Sequence, residues 1–408
     1  MSIEHELDVI RRGTAEIISE EELRAKLERA RKEGQPLKIK LGLDPTAPDI
    51  HLGNAVVLRK MRQFQDLGHE VIIIIGDFTG LIGDPSQQSV TRPMLSRVEI
   101  EANARTYAEQ YSQILDPEKT RVVFNSEWLS PVNFADVIRL AARLTVAQVL
   151  ERDDFATRIR ERKPLGLHEL LYPLCQAYDS VWLEADVEVG GTDQKFNMVL
   201  ARDFQRQFGQ EPQVVLAMPL LAGTDGVQKM SKSLGNYIGI TEPPEEKFGK
   251  AMSIPDELIV PYLELCTEVP MEEVGRIEEQ LRAGRVNPVV HKRRLAREIV
   301  TLYDGAEAAV QAERRFDAIH KPGTREALEE VELPVVRLKP GLVRQGRVAI
   351  VALLREGGMA ASNSEARRLV RQGAVEWDGE RIVDETAKVV FKPNAILRAG
   401  RKVARITQ

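Results

Sequence analysis

The chain has little of what secreted, redox and membrane proteins need. Its two cysteines, Cys175 and Cys266, lie far apart and form no metal-binding or redox spacing. We therefore expect a reducing, cytoplasmic compartment. The apolar run Val71–Ile75 is far too short to span a bilayer, so we expect no membrane association. The acidic N-terminus lacks the basic, apolar and small-residue pattern of a signal peptide.

An excess of positive charge is also missing, but only from the chain as a whole. The net charge of −5 does not indicate a protein whose whole surface is positively charged for binding nucleic acid. Residues 346–408, however, hold twelve Lys and Arg against seven Asp and Glu. The sequence thus predicts an acidic body with a basic tail. At 408 residues, with 43% hydrophobic and 29% charged residues, the chain can form two or three globular domains.

The rest of the chain is organised around a strand–turn–helix near the N-terminus. A strand predicted over 37–43 alternates in polarity, ends in a proline-containing turn, and leads into a helix predicted over 55–67. The unpaired N–H groups of such a helix form an anion site. Gly53 permits close approach, and His51 and Asn54 add donors. Taken alone, the stretch is equally consistent with His51 and Asn54 acting only as helix caps.

The β-branched run 71–76 predicts a second, buried parallel strand. Strand, helix and strand in this order begin a doubly wound sheet, whose ligands bind beyond the carboxyl ends of the strands. Both the 44–54 turn and the 79–84 loop fall there. Further strands are predicted over 121–124, 186–191 and 214–221, helices over 1–34, 97–119, 134–151, 165–178 and 195–209, and a charged surface insertion over 153–163.

The character of the sequence changes after Thr241. Helical patterns alone follow, and a proline-containing linker over 321–345 precedes a last compact segment with two short helices and strand pieces. We predict an α/β fold: a Rossmann-like doubly wound parallel sheet over 1–240, including an N-terminal helix, then an all-helical domain over 241–320 and a small α+β domain over 346–408. The helices of the middle domain are predicted over 245–252, 256–267, 271–283 and 288–316.

A lysine-rich loop follows the last predicted strand of the sheet. Lys229-Met-Ser-Lys-Ser233 is flanked by glycines and carries two lysines three residues apart. Lysine is a compact charge with three donors, which suits a phosphate whose negative charge grows as it leaves. Alone, such a loop is more often a solvated basic turn.

The two stretches together resemble the two signatures of class I aminoacyl-tRNA synthetases, in the same order and separation. Tyr172-x3-Gln176-x2-Asp179 resembles the helix with which the tyrosyl members of that family hold their amino acid. Two more loops, 76–86 and 190–194, are similar to loops of the same enzymes. With the tail included, the resemblance to bacterial tyrosyl-tRNA synthetases covers most of the chain.

The spacing of that helix can be interpreted without the resemblance. Residues 172, 176 and 179 share one helix face, which projects a phenol, an amide and a carboxylate. A ligand without a hydroxyl group would leave a buried Asp179 unpaired. The selection of about 10⁴–10⁵ for tyrosine over phenylalanine that tyrosyl enzymes are known for can arise in this way. The alternative is three satisfied polar groups at a helix–sheet interface.

The resemblance implies a role for each matching residue. On the tyrosine side, the α-amino group would be bound by Asp84, Tyr172 and Gln176 with Thr79 beside them, the phenol hydroxyl by Asp179, and the carboxylate by Gln194. On the ATP side, Gly42, Asp44 and Gly53 would frame the nucleotide, Asp193 would bind the ribose, and His51, Asn54 and Thr46 would stabilise the triphosphate with Lys229, Ser231 and Lys232.

Three positions depart from the family pattern. Asn54 replaces the second histidine of the first signature; its amide can donate but carries no charge. Lys40 stands where many tyrosyl enzymes have a tyrosine that contacts the phenol, so that second contact is not expected here. Gln87-Gln88 replaces a glycine and a basic residue, so a phosphate role for position 88 is unsupported, although Arg92 remains.

The implied reaction joins tyrosine to AMP and then transfers the tyrosyl group to the 3′ end of its tRNA. The carboxylate is already a nucleophile, so catalysis requires positioning and charge neutralisation. Mg²⁺ is expected to arrive with ATP, and no cluster in the sequence suggests a protein-bound metal. The family usually forms a homodimer, and we expect the interface within 114–165.

The C-terminal segment resembles a small RNA-binding domain named after ribosomal small-subunit protein four. Arg367, Arg368 and Arg371 lie on its second predicted helix and can contact phosphates or stack on bases. A solvated charged helix is the alternative. By the same resemblance, 241–320 would bind the tRNA anticodon.

Three alternative functions remain open. A tryptophanyl-tRNA synthetase shares the fold and both signatures, but not the 172–179 helix or the tail. A small-molecule nucleotidyltransferase shares the histidine turn but lacks the lysine loop. A non-catalytic RNA-binding paralogue is suggested only by Asn54 and Gln87-Gln88.

Overall fold

The computed structural model describes residues 2–43, 50–83, 99, 110–320, 333–339, 341–400 and 402–407. The predictions made for Asp44, Thr46, Asp84, Gln87-Gln88 and Arg92, and most of the helix predicted over 97–119, lie outside these residues. The described chain forms two compact units. The first comprises Met1–Glu242 with Lys250–Ile299, and the second comprises Pro243–Gly249 with Val300–Gln408.

A six-stranded sheet forms the centre of the first unit. Its strand order is β1-β6-β5-β2-β3-β4, so the chain reverses direction across the sheet between β2 and β5. In open α/β sheets, ligands bind at this switch point. The strands are β1 (Glu16–Ile18), β2 (Lys38–Leu43), β3 (Glu70–Ile75), β4 (Thr120–Phe124), β5 (Val187–Gly191) and β6 (Val214–Met218).

Five of these six strands were predicted and are confirmed, and they pair in parallel. The sixth corrects the prediction of a purely parallel sheet and of a continuous helix over 1–34. Glu16–Ile18 forms β1, which pairs antiparallel with β6 at the edge. The helix is interrupted at Gly13, whose φ is +63°. Ser19 then starts a new helix with a capping box to Glu22.

Helices surround the sheet. Ile72 and Ile74 of β3 pack with Trp128 and Leu183 in one buried cluster. The α-helices that lie wholly within the described residues before β6 are α1 (Ile3–Arg11), α2 (Glu20–Glu33), α3 (Leu52–Asp66), α4 (Ser126–Leu129), α5 (Phe134–Ala141), α6 (Val146–Val149), α7 (Asp153–Arg160), α8 (Tyr172–Leu183) and α9 (Lys195–Gln207).

Two predicted segments of this unit differ in detail. The single helix predicted over 134–151 is two helices, because the chain turns after Ala141 and Thr145 caps α6 anew. The segment 153–163 was predicted to be a charged surface insertion, and most of it is exposed, but its helix α7 buries Phe155 and Arg158. The guanidinium of Arg158 is buried against Glu169, with an N–O distance of 2.9 Å. High charge therefore did not mean exposure here, because the charge has a buried partner.

The helical segments predicted after Thr241 are confirmed, except that the one over 288–316 is divided at Gly305, whose φ is +91°. They are α10 (Pro244–Ser253), α11 (Ile259–Cys266), α12 (Met271–Arg282), α13 (Pro288–Asp304) and α14 (Ala306–His320).

The C-terminal part folds around its own apolar cluster, which includes Leu353, Val370, Val375 and Leu397. Its two predicted short helices are confirmed, and a five-stranded sheet has the order β10-β9-β12-β13-β7. Within the described ranges, no helix is long and apolar enough to cross a membrane. The elements are β7 (Val335–Arg337), β8 (Arg347–Ala349), α15 (Ile350–Glu356), α16 (Asn363–Arg371), β9 (Val375–Trp377), β10 (Glu380–Ile382), β11 (Lys388–Val390), β12 (Ala395–Ala399) and β13 (Lys402–Thr407).

Candidate active site

His51 caps the helix that follows β2. Its Nδ1 accepts a hydrogen bond from the Asn54 N–H at 3.3 Å, and the Asn54 Oδ1 accepts one from the His51 N–H at 3.3 Å. Because Nδ1 accepts, the ring proton is on Nε2. Burial lowers the pKa of His51 to about 4, and the charge of Lys229 acts in the same direction. His51 is therefore both a cap and a neutral hydrogen-bond donor.

Gly53 brings the lysine loop against the first turn of α3. Its N–H lies 3.4 Å from the sulfur of Met230, which is buried. A Cβ at Gly53 would stand 3.1 Å from the His51 ring and 3.4 Å from the Cβ of Met230. A side chain at position 53 would crowd the His51 ring, so glycine favours the close contact between the two loops.

The lysine loop has a defined conformation. The Nζ of Lys229 lies 3.0 Å from a carboxylate oxygen of Asp193, the residue predicted to bind ribose. The Nζ of Lys232 lies 5.9 Å from the ring centre of Tyr237, whose ring centre is 6.4 Å from that of His51. Lys229 lines the same cavity as His51, and Lys232 and His51 both have the Tyr237 ring as a neighbour.

A cavity joins the two loops at the carboxyl ends of β2 and β5. Seven of the residues predicted to bind or activate ATP and tyrosine line it: Gly42, His51, Gly53, Asn54, Asp193, Gln194 and Lys229. Ser231 and Lys232, which were also predicted for ATP, lie outside its lining.

A second cavity adjoins the first and shares Gly42, Leu43 and Gln194 with it. The three side chains of α8 that were predicted to share one helix face all line this cavity. Its lining includes all the described residues predicted for tyrosine: Thr79, Tyr172, Gln176, Asp179 and Gln194.

Asp179 is buried at the base of this second cavity. Its Oδ1 accepts a hydrogen bond from the Trp128 indole N–H at 2.7 Å. Burial raises the pKa of Asp179 to about 7, although the charge of Lys40 and the hydrogen bonds from Trp128 and Asn125 oppose the shift. The carboxyl therefore titrates near neutral pH.

Two residues around Asp179 were not predicted from the sequence. Asn125 donates from Nδ2 to the Thr79 Oγ1 at 3.1 Å and follows the end of β4. Its place after a parallel strand was a usable signal. Trp128 lies on the short helix α4, and nothing in the local pattern distinguishes it from a core residue.

Lys40 makes a buried ion pair. Its Nζ lies 3.0 Å from Oε1 of Glu188, and the two side chains are 1% and 2% exposed. The residues are register partners on the adjacent strands β2 and β5. Lys40 therefore contacts a buried carboxylate. The sequence alone did not indicate this partner.

The tail arginines are exposed on α16. Arg371 pairs with Glu385 at 2.9 Å, while Arg368 lies 3.9 Å from Glu365. Arg398 donates to the carbonyl groups of Ala318 and Ile319 at the end of α14.

The sheet topology, the histidine turn and the lysine loop define a class I aminoacyl-tRNA synthetase. The family model for class I tRNA synthetases (W and Y) matches residues 32–321, and the chain belongs to this family. Within the family it groups with the bacterial tyrosine–tRNA ligases, as the following comparisons show.

Three curated relatives are similar to the chain over almost its whole length. The tyrosine–tRNA ligase of Moorella thermoacetica is 56% identical over 99% of this chain and 96% of its own. That of Carboxydothermus hydrogenoformans is 55% identical over 96% and 94%. That of Geobacter sulfurreducens is 52% identical over the full length of both.

Solved structures support the same fold. The tyrosyl-tRNA synthetase of Archaeoglobus fulgidus, complexed with L-tyrosine, is 26% identical with a TM-score of 0.63, covering 76% of this chain and all of its own. The C-terminally truncated mitochondrial enzyme of Aspergillus nidulans, at 22% identity and a TM-score of 0.62, covers 76% of this chain and 92% of its own and supports the fold alone.

Proposed function

We propose that this chain activates tyrosine with ATP and transfers the tyrosyl group to the 3′ end of its tRNA. The observation that carries the proposal is the meeting of two cavities at the switch point of the sheet. One is lined by the Tyr172, Gln176 and Asp179 side chains, and the other by His51 and Lys229. The shared residues Gly42 and Gln194 lie where an amino acid and a nucleotide would react.

The first step needs no general base, because the tyrosine carboxylate attacks the α-phosphate directly. His51 donates from a neutral Nε2–H, since its low pKa keeps it uncharged at neutral pH. Lys229 adds positive charge where the pyrophosphate leaves, and it must exchange Asp193 for the nucleotide. These preorganised donors act on charge that develops in the transition state.

Asp179 selects the amino acid. Its carboxylate accepts a hydrogen bond from the phenol hydroxyl of tyrosine, while Trp128 already satisfies one of its oxygens. Asn125 also donates to this carboxyl. Phenylalanine brings no hydroxyl group to it, so one hydrogen bond to a buried carboxylate would be lost.

ATP is proposed to arrive with Mg²⁺. Among the described residues, no group of three or more His, Cys, Asp or Glu side chains is placed to hold a metal ion. We place Mg²⁺ on the phosphates of ATP, with the chain supplying His51 and Lys229 around them.

The tRNA is proposed to contact the helical domain over 241–320 and the exposed face of α16, through Arg367, Arg368 and Arg371. The enzyme is proposed to act in the cytoplasm as a homodimer. Exposed apolar side chains at Phe134 and Ile138, 78% and 56% exposed, support an interface within 114–165. Sedimentation of the full chain would show a dimer; a monomer at micromolar concentration would contradict this part.

Aminoacylation with each of the twenty amino acids tests the function. The full chain, ATP, Mg²⁺ and bacterial tRNA are incubated with one labelled amino acid at a time. We expect label in tRNA with tyrosine alone. Labelled tRNA with tryptophan, or no labelled tRNA with any of the twenty amino acids, would contradict the proposal.

A further inference from the structure

A chain of buried polar side chains is hydrogen-bonded on both sides of Gln176, which lines the amino-acid cavity. Lys40 pairs with Glu188 at 3.0 Å, and the same Glu188 oxygen accepts from Nε2 of Gln176 at 2.9 Å. Oε1 of Gln176 accepts from Nδ2 of Asn197 at 2.8 Å, and Oδ1 of Asn197 accepts from Arg152 at 3.0 Å. Every member except Gln176 is at most 4% exposed.

Glu188 and Arg152, the charged groups on either side of Gln176 and Asn197, fix the direction of each hydrogen bond between these side chains. A carboxylate only accepts, so Glu188 requires the nitrogen of the Gln176 amide to face it. A guanidinium only donates, so Arg152 requires the oxygen of Asn197, which turns the Asn197 nitrogen toward Gln176. Both constraints place the Gln176 amide in the same orientation. Gln176 is also the member that lines the cavity.

We propose that the Lys40–Glu188 pair positions the Gln176 amide so that its oxygen faces the ammonium group of the amino-acid substrate. The proposal rests on the proposed function, and it gives Lys40 and Glu188 a positioning role. An ammonium group has donors only, so it binds an amide oxygen and is repelled by an amide N–H. A carbonyl oxygen has two lone pairs, so Gln176 can accept from Asn197 and from the ligand together.

The stability of the fold alone would not require the Lys40–Glu188 ion pair. Replacing a buried ion pair with neutral residues of similar size is often neutral or stabilising. The Lys26–Asp186 pair provides a comparison in the same unit. Its N–O distance is 3.2 Å and its lysine is 1% exposed, like Lys40. The other contacts of Lys26 and Asp186 go to Glu211, Arg29 and Lys38, whereas Glu188 contacts Gln176.

The test compares two matched double variants, Lys40→Met/Glu188→Gln and the control Lys26→Met/Asp186→Asn. Dissociation constants are measured by calorimetry for tyrosine, tyramine and 3-(4-hydroxyphenyl)propionate. All three ligands carry the phenol, and only the last lacks the amine. Because the phenol is shared, any effect of Lys40 on Asp179 cancels in the ratio of two dissociation constants.

We expect the first double variant to lose about tenfold of its preference for tyrosine over 3-(4-hydroxyphenyl)propionate, since a hydrogen bond to a charged group is affected. Its preference for tyramine over the same acid should fall similarly. The control should keep both preferences within about twofold of the wild type, since its pair makes no contact with Gln176.

The proposal is overturned if the Lys40→Met/Glu188→Gln variant keeps both preferences within about twofold of the wild type. It is also overturned if the variant loses affinity equally for all three ligands. If that variant does not fold, Lys40→Leu/Glu188→Met removes the same pair with apolar residues of similar size, a replacement that buried ion pairs often tolerate. The same amine-specific loss is expected, and its absence overturns the proposal. A wild-type chain that binds none of the ligands contradicts the proposed function itself.

Discussion

The pH dependence of tyrosine binding follows from the burial of Asp179. Its pKa is raised to about 7, so the carboxyl is ionised in about 9% of molecules at pH 6 and about 91% at pH 8. If only the ionised form accepts the phenol hydroxyl with full strength, tyrosine binds up to about tenfold more tightly at pH 8 than at pH 6. The affinity falls as pH drops through the pKa, because protonation removes the acceptor.

Two other groups must be separated from Asp179 in this experiment. Burial lowers the pKa of His51 to about 4, so His51 does not titrate between pH 6 and 8. Burial also lowers the pKa of Lys60 to about 7. Lys60 binds the carbonyl groups of Ile10 and Arg12 at the end of α1, and it lines neither cavity.

The assay is equilibrium dialysis of tyrosine and of phenylalanine at constant ionic strength from pH 6 to 8.5. Phenylalanine carries the same amine and carboxylate, so an effect of Lys60 appears in both ligands and cancels in their ratio. The ratio of the two dissociation constants should change about tenfold for the wild type and stay flat for Asp179→Asn. A flat ratio for the wild type, or an equal slope in Asp179→Asn, would refute the reasoning.

Three further predictions concern catalysis, RNA and stability. His51→Ala and Lys232→Ala should each lower the rate of pyrophosphate exchange by about 10²–10³, the usual cost of one lost donor; a loss below about threefold for both would contradict the assignment. Deletion of residues 346–408 should spare adenylate formation and weaken tRNA charging, and unchanged charging would exclude an RNA-binding role for the tail. Arg158→Met should destabilise the fold by about 3–5 kcal/mol in urea unfolding, because Glu169 is left as a buried charge; a change below about 1 kcal/mol would contradict a buried pair.

Local patterns were sufficient to predict most of the sheet and the two loops of the site. The β-branched run of β3 leaves little choice but a buried strand, and it is almost fully buried. The histidine turn was predicted to lie at the carboxyl edge of the sheet because it follows a parallel strand, and residues of the turn and of the lysine loop line one cavity. The spacing of Tyr172, Gln176 and Asp179 predicted a shared face, and all three line one cavity.

Features that depend on partners distant in sequence could not be predicted in the same way. The strand β1 is three residues long and is stabilised by pairing with β6, about 200 residues away. Arg158 was placed at the surface because its charge was visible in the sequence and its partner Glu169 was not. Lys40 had no assigned role until the register of β2 and β5 placed Glu188 beside it.

Tyrosine-dependent exchange of labelled pyrophosphate into ATP tests the central claim most directly. It requires only the full chain, Mg²⁺, ATP and tyrosine, and it reports the joint action of both cavities without tRNA. We predict tyrosine-dependent exchange, and we expect His51→Ala to lower its rate by about 10²–10³-fold. No exchange above the tyrosine-free background, with the chain folded by circular dichroism, would contradict the account.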